Sequence, residues 1–282
     1  MSETTSTEAT KMPAKLVNNN QLLVKRPQAL LFDFVATVTK SSFIDKVLLP
    51  YIPNNIMNFL EENWNSKTIQ EDINNLRKEA MNMNNPSVPQ IPEMVDEGDR
   101  SKVIDAVAAY VRYCSDTNKQ KNEINIVGNA MIVLRFHMWF DGLKRGRLQT
   151  PIYSDVNSQL KKWHDEKGTK LYVVSNGWAD ATKRFLTKTN HGNLEVLIEG
   201  HFDTTLGSLN DPSTYDKVLE LIKVPAENVL FLTKCAEEGR AALQAGLNSI
   251  LVLTHRRNIE KLDEESKKLP RVRSFNDLVF VD

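Results

Sequence analysis

The sequence predicts an α/β protein: a doubly wound, mainly parallel sheet interrupted by an inserted α-helical cap. Three observations carry this. The apolar run Leu30-Leu31-Phe32 stops abruptly on Asp33. Two later apolar runs stop in the same way, at Ser175-Asn176-Gly177 and at Thr233-Lys234. Between and after them helices alternate with short strands, which implies crossover connections and a mainly parallel sheet. In open α/β sheets ligands sit at the carboxyl ends of the strands, so those three endings outline a candidate phosphate-handling site.

In chain order, residues 1–25 are polar and poor in aromatics, and are expected to be a disordered tail. After Arg26-Pro27, residues 28–32 read as a buried strand. A helix is expected to begin at Ser42–Leu49 and to be cut at Pro50 and Pro53. Helical periodicity returns over 54–64, 68–81, 102–113 and 124–140, with a proline-rich loop at 84–92. Residues 46–148 are therefore expected to be the helical cap, and 26–45 with 149–282 the α/β core. In the second part, helices are expected at 154–167, 179–188, 212–222 and 237–245. Strands are expected at 170–174, 228–232 and 249–253, and a shorter segment begins at His201-Phe202-Asp203.

Composition narrows the classes. The 282 residues hold 36 Lys plus Arg against 36 Asp plus Glu. That balance argues against nucleic acid as a partner, because a phosphate backbone demands a basic face. No apolar window approaches the roughly 20 residues needed to span a bilayer. The first twenty residues hold no apolar stretch suited to secretion, and Glu3 and Glu8 do not suit a mitochondrial transit peptide. Two cysteines, Cys114 and Cys235, are too few for a disulfide framework and suit a reducing cytosol. A cytoplasmic protein is expected, with neither membrane nor nucleic acid among its partners.

Several stretches taken together, in order and spacing, carry a resemblance. They are Leu31-Phe32-Asp33, Leu48-Leu49-Pro50-Tyr51, Leu76-Arg77-Lys78, His137-Met138-Trp139, Gly146-Arg147, Lys162-Trp163, Gly200-His201-Phe202-Asp203 and Leu230-Phe231-Leu232-Thr233. From about Ala29 to Leu278 the chain resembles the haloacid dehalogenase-like hydrolases. More closely, it is similar to the enolase-phosphatase (acireductone synthase) family of methionine salvage. The resemblance implies a Rossmann-like core with a helical cap, and an aspartate nucleophile at Asp33 that forms an aspartyl-phosphate.

It also implies groups that this chain lacks. The family's acid–base glutamate stands at Val35 here, and the glycine after it is Ala36. Valine cannot move a proton, which forfeits the roughly 10²–10⁴-fold such a group supplies. The family lysine that offsets phosphate charge falls at Leu209, and the magnesium-binding aspartate at Lys234. An ammonium repels the ion that hard anionic oxygens would hold. Asp33 and Glu238 are the carboxylates left for a metal, so no metal cofactor is expected unless the family activity survives. Ser175, Asn176 and Gly177 keep phosphate-binding potential through hydroxyl, amide and close backbone approach.

Each of these residues also has a plainer reading. Asp33 could cap a turn, Ser175-Asn176-Gly177 could be an ordinary strand-to-helix turn, and Lys234 could be a solvated loop lysine. The favoured expectation for Lys234 is an ion pair with Asp33. Cys235 reads as an inert thiol, and the histidines show no metal-ligand spacing. Two functions remain. The first is an enolase-phosphatase-like protein without phosphatase activity, a pseudo-enzyme binding a phosphorylated small molecule or a protein partner. The alternative is an active Mg²⁺-dependent enolase-phosphatase acting on the diketo phosphopentane of methionine salvage.

Overall fold

The computed structural model describes residues 15–17, 21–83, 85–121, 128–166 and 168–281. It divides into two compact units: residues 1–41 with 149–282, and residues 42–148.

Among the described residues, nine strands order the first unit. These are β1 (Lys15–Val17), β2 (Gln21–Lys25), β3 (Ala29–Asp33), β4 (Lys170–Val174), β5 (Ile198–Phe202), β6 (Val229–Thr233), β7 (Asn248–Val252), β8 (Arg271–Val272) and β9 (Leu278–Val281). Six form one parallel sheet in the order β5-β4-β3-β6-β7-β8. Strand β3 is central, with β4 on one side and β6 on the other. The chain thus reverses its winding direction there, and this switch point is where open sheets place ligands. Residues of β3 are buried on both faces, which is why it reads as a continuous apolar run rather than an alternating one.

The helices of this unit are α5 (Ser154–Asp165), α6 (Ala179–Thr187), α7 (Pro212–Ile222), α8 (Ala236–Gln244) and α9 (Arg256–Glu260). Successive strand side chains alternate between faces. Ala29, Leu31, Tyr172, Val174, Val229 and Phe231 meet Tyr215, Val218 and Ile222 of α7 and Ala241 and Ala242 of α8 in one core. Helix α8 lies close to the sheet because of Gly239. A Cβ there would stand 2.9 Å from Ser249 Oγ and 3.3 Å from Leu251.

The expectation of disorder over 1–25 is corrected by β1 and β2. Residues 1–14 and 18–20 lie outside the described residues. Strand β2 alternates exposed and buried positions, pairs antiparallel with β1 and runs parallel to β9. Its Leu22 and Val24 are buried beside β9, while Trp163 of α5 stacks on Phe275 and on Phe280 of β9. Two buried apolar residues in five suffice for a strand when a partner edge already exists. That partner, β9, lies some 250 residues away, beyond the reach of local pattern. The segment expected from His201 is in fact the end of β5, whose Ile-Glu-Gly-His-Phe sequence has no apolar run to announce it.

The second unit holds α1 (Leu49–Asn63), α2 (Lys67–Asn82), α3 (Arg100–Lys121) and α4 (Asn129–Lys144). A π-helical turn over Ile44–Leu48 leads straight into α1, so Pro50 and Pro53 do not cut the helix as expected. Pro50 falls in the first turn, where N–H groups have no intrahelical acceptor. The part of the helix expected at 124–127 lies outside the described residues. Buried polar groups tie the bundle: Trp139 Nε1–H donates to Leu48 O at 2.8 Å, and Tyr110 OH donates to Glu79 Oε1 at 2.8 Å. His137 Nδ1 lies 2.6 Å from buried Asp72 Oδ2, and Met138 is fully buried.

Leu22→Ala removes a side chain from the packed face of β2. It is expected to lower the unfolding free energy by about 2–3 kcal/mol in a denaturant titration. A disordered segment at 21–25 would leave the midpoint unchanged.

Candidate functional site

The parallel register sets the site. Asp33 is level with Val174, and Phe32 with Leu232, so Asp33, Ser175 and Thr233 emerge together from the carboxyl ends of three adjacent strands. Three of the sequence-predicted elements therefore do meet: Asp33, the Ser175-Asn176-Gly177 turn and the Thr233-Lys234 turn.

Asp33 is buried, 5% exposed, and its Oδ2 accepts a hydrogen bond from Thr37 Oγ1 at 3.2 Å. Thr37 Oγ1 in turn accepts from the backbone N–H of Lys234 at 3.2 Å. This link joins the β3 and β6 ends, and sequence reasoning missed it. Its signal was a threonine four residues after the aspartate, the span of one tight turn. The turn passes through Ala36 at φ +62°, the left-handed region, where a Cβ costs roughly 1–2 kcal/mol. Val35 is half-buried beside it and offers no proton-transfer group.

Glu238, in the first turn of α8, is more central than the sequence suggested. It is buried, 4% exposed, and both carboxylate oxygens are used. Asn176 Nδ2 donates to Oε1 at 2.7 Å, and Thr233 Oγ1 donates to Oε2 at 2.7 Å. Burial and the nearby Glu238 charge push the Asp33 carboxyl up to about 7, against weaker opposing pulls from Lys234 and from the hydrogen bonds of Thr37 and Phe34.

Lys234 departs from the expectation. It is exposed, and among the described residues it forms no ion pair with Asp33. The physical reason lies in the backbone. Lys234 points its N–H toward Thr37, leaving its side chain free to extend into water, where an ammonium is best solvated. Its charge still reaches Asp33 at longer range.

Leu209 is 1% exposed and belongs to the core cluster with Tyr215 and Val218, so that position supplies packing here and no charge. Its carbonyl accepts from Tyr215 OH at 2.9 Å, and the same hydroxyl reaches Glu238 O at 3.2 Å. Neither nearby lysine replaces the missing charge. Lys217 Nζ donates to Leu206 O at 2.6 Å, and Lys223 is an exposed residue ending α7.

The phosphate-binding candidates are partly engaged. Ser175 is 2% exposed, and its Oγ accepts from the Gly177 N–H at 3.0 Å. Its hydroxyl hydrogen can still be donated to a ligand. Asn176 and Gly177 are exposed, with one amide hydrogen of Asn176 committed to Glu238. Asp203, named in the sequence motif but given no role, holds this turn in place. Its Oδ2 accepts from Ala179 N–H at 2.8 Å at the start of α6, while Oδ1 accepts from Thr205 N–H at 2.9 Å and Oγ1 at 2.6 Å. These bonds keep its carboxyl below the usual range despite burial.

Cys235 is half-buried, and burial raises its thiol pKa, in keeping with an inert side chain. His201 contacts Thr182 Oγ1 and Glu195 Oε2 at 2.8 and 2.9 Å, so both its ring nitrogens are engaged away from Asp33 and Ser175.

The donor set is a poor match for magnesium, which asks for near-octahedral oxygen ligands. Among the described residues no three His, Cys, Asp or Glu side chains gather closely enough to hold a metal ion. Asp33 and Glu238 lie near enough for the charge of one to raise the carboxyl of the other, and an ammonium-bearing residue occupies the next strand-end position.

No protein-family model matches the chain. The chain is similar to "Enolase-phosphatase E1" of Xenopus tropicalis, 32% identical over 253 residues, covering 89% of this chain and 94% of that protein. It is similar to "Enolase-phosphatase E1" of Aquifex aeolicus at 28% identity, covering 89% and 98%. Its fold is similar to that of the solved Unknown transcript 4 protein of Saccharomyces cerevisiae, with a TM-score of 0.64 at 17% identity over 89% of this chain and 99% of that one.

The raised Asp33 carboxyl makes a signed prediction. The native state holds a proton that the unfolded chain, with its carboxyl near 3.8, has lost. Stability therefore falls as pH rises from about 4 toward 7. Asp33→Asn removes the ionisation. Urea unfolding is expected to show the variant gaining stability over the parent above about pH 7 and losing that advantage near pH 4. An equal difference at both pH values would contradict the assignment.

Proposed function

The chain belongs to the enolase-phosphatase family of the haloacid dehalogenase-like hydrolases, and we propose that on this scaffold it binds a phosphorylated small molecule without hydrolysing it. One observation carries the reading: an ammonium-bearing residue, Lys234, occupies the strand-end position next to Asp33 where magnesium would need an anionic oxygen. Two further features support it. Val35 cannot act as acid or base, and Leu209 is sunk in the core. Asp33, whose carboxyl burial and Glu238 push up to about 7 against the weaker pull of Lys234, is held back from the ionised form a nucleophile needs. Residues acting as a unit lose activity non-additively, so any remaining group contributes little alone.

What persists is a binding edge: the hydroxyl of Ser175, the second amide hydrogen of Asn176, and the Gly177 turn held by Asp203. A phosphate ester fits that chemistry. Two free cysteines and the absence, among the described residues, of a helix long and apolar enough to cross a membrane agree with a cytoplasmic setting, which belongs to the same proposal.

The second reading is retained phosphatase activity on a methionine-salvage phosphate ester, with Asp33 attacking phosphorus. The names of the relatives favour it, as does the placement of Asp33 beside Ser175 and Asn176. It would require Glu238 to leave one of its hydrogen bonds for a metal.

Turnover of an aryl phosphate in magnesium separates the two. The parent chain is expected to run at least about 10⁴-fold below an active relative and no faster than its Asp33→Asn variant. A magnesium-dependent rate abolished by Asp33→Asn would establish the second reading instead.

A further inference from the structure

Building on the ligand-binding reading, we propose that Lys234 is the phosphate-recognising cation of this site, so that a phosphoryl group is held at the strand ends by an ammonium and needs no divalent metal. The lysine's placement is fixed while its head group is free. Its N–H is tied to Thr37 Oγ1, and the next N–H, of Cys235, donates to Thr233 Oγ1 at 3.0 Å. Both threonines also donate to carboxylates, Thr37 to Asp33 and Thr233 to Glu238. The turn after β6 is thereby held from both sides. The side chain is exposed and, among the described residues, forms no ion pair.

The surrounding charges make this cation necessary. Asp33 and Glu238 are buried at the same edge, and both repel a phosphate dianion. Position 209 contributes a leucine, and Lys217 is turned to Leu206 O. Lys234 is therefore the cation whose field reaches Asp33 from the strand ends. An ammonium carries three donors on a flexible stem, enough to meet a phosphoryl oxygen delivered against Ser175 and Asn176. The substitution that removes a metal ligand thus also installs a substitute for the metal's attraction. It supplies none of the metal's alignment of nucleophile and leaving group, in keeping with binding that has outlived catalysis.

Calorimetric titration of the full chain with inorganic phosphate, once in EDTA and once in magnesium, tests this. The dissociation constant is expected to be the same in both solutions. Lys234→Met is expected to weaken binding about 10–100-fold, the loss typical of a charge-assisted hydrogen bond, and Lys234→Arg to stay within about threefold of the parent. Because Lys234 is exposed, an unchanged melting temperature will show that Lys234→Met is folded. Phosphate bound as tightly by Lys234→Met as by the parent would overturn the role of the lysine alone. Binding by the parent only in magnesium would overturn it and favour the hydrolytic reading. No phosphate binding by the parent in either solution would remove the ligand-binding reading itself.

Discussion

The buried carboxylate of Glu238 is the brace on which the candidate site depends. One oxygen is tied to Thr233 at the end of β6 and the other to Asn176 in the turn after β4, so the bonds span the two strands that flank β3. Hydrogen bonds to a charged group contribute about 1.5–3 kcal/mol each, and removing one partner leaves a costly buried charge. Gly239 lets α8 sit close enough to the sheet for Glu238 to reach both partners, and Tyr215 anchors the Glu238 carbonyl from α7. Asp33 lies between the tethered turns and bears the electrostatic consequence. The charge that organises the edge is also the charge that discourages Asp33 from ionising.

A catalytic phosphatase would offset that pressure with cations. Here the offset is small: one exposed ammonium that lowers the Asp33 carboxyl less than burial and Glu238 raise it. The three altered positions thus have a common effect. On the proposed reading, Val35 offers no proton transfer, Leu209 no fixed positive charge, and Lys234 a cation where the resemblance implies a metal-binding group. Hydrogen bonds hold the strand ends in place, and the proposed loss of phosphoryl transfer rests on the chemistry of these three positions.

Much of this could be read from the residues. Strands β3, β4, β6 and β7 are apolar runs closed by turn residues, and their expected bounds lie within one residue of the structure. The resemblance singled out Val35, Leu209 and Lys234 as positions where the family's groups would stand, and that assignment rests on the resemblance alone. What could not be read depends on contacts distant in sequence. Strand β2 needs β9, and β5 has a glycine and two polar residues in five. The prolines of α1 looked like breaks because the π-helical turn before them has no sequence signature. The expected Asp33–Lys234 pair failed because sequence places two side chains on one edge without saying which way a backbone N–H turns either of them. Thr37 decides that here, and Glu238, read only as a carboxylate left for a metal, is buried and spent on hydrogen bonds because α8 lies so close to β7.

The central claim is that this strand-end edge no longer grips a divalent ion. Calorimetric titration of the full chain with magnesium chloride at neutral pH tests it most directly. The account predicts no saturable heat for the parent chain. A single saturable magnesium site, lost in Asp33→Asn, would contradict it.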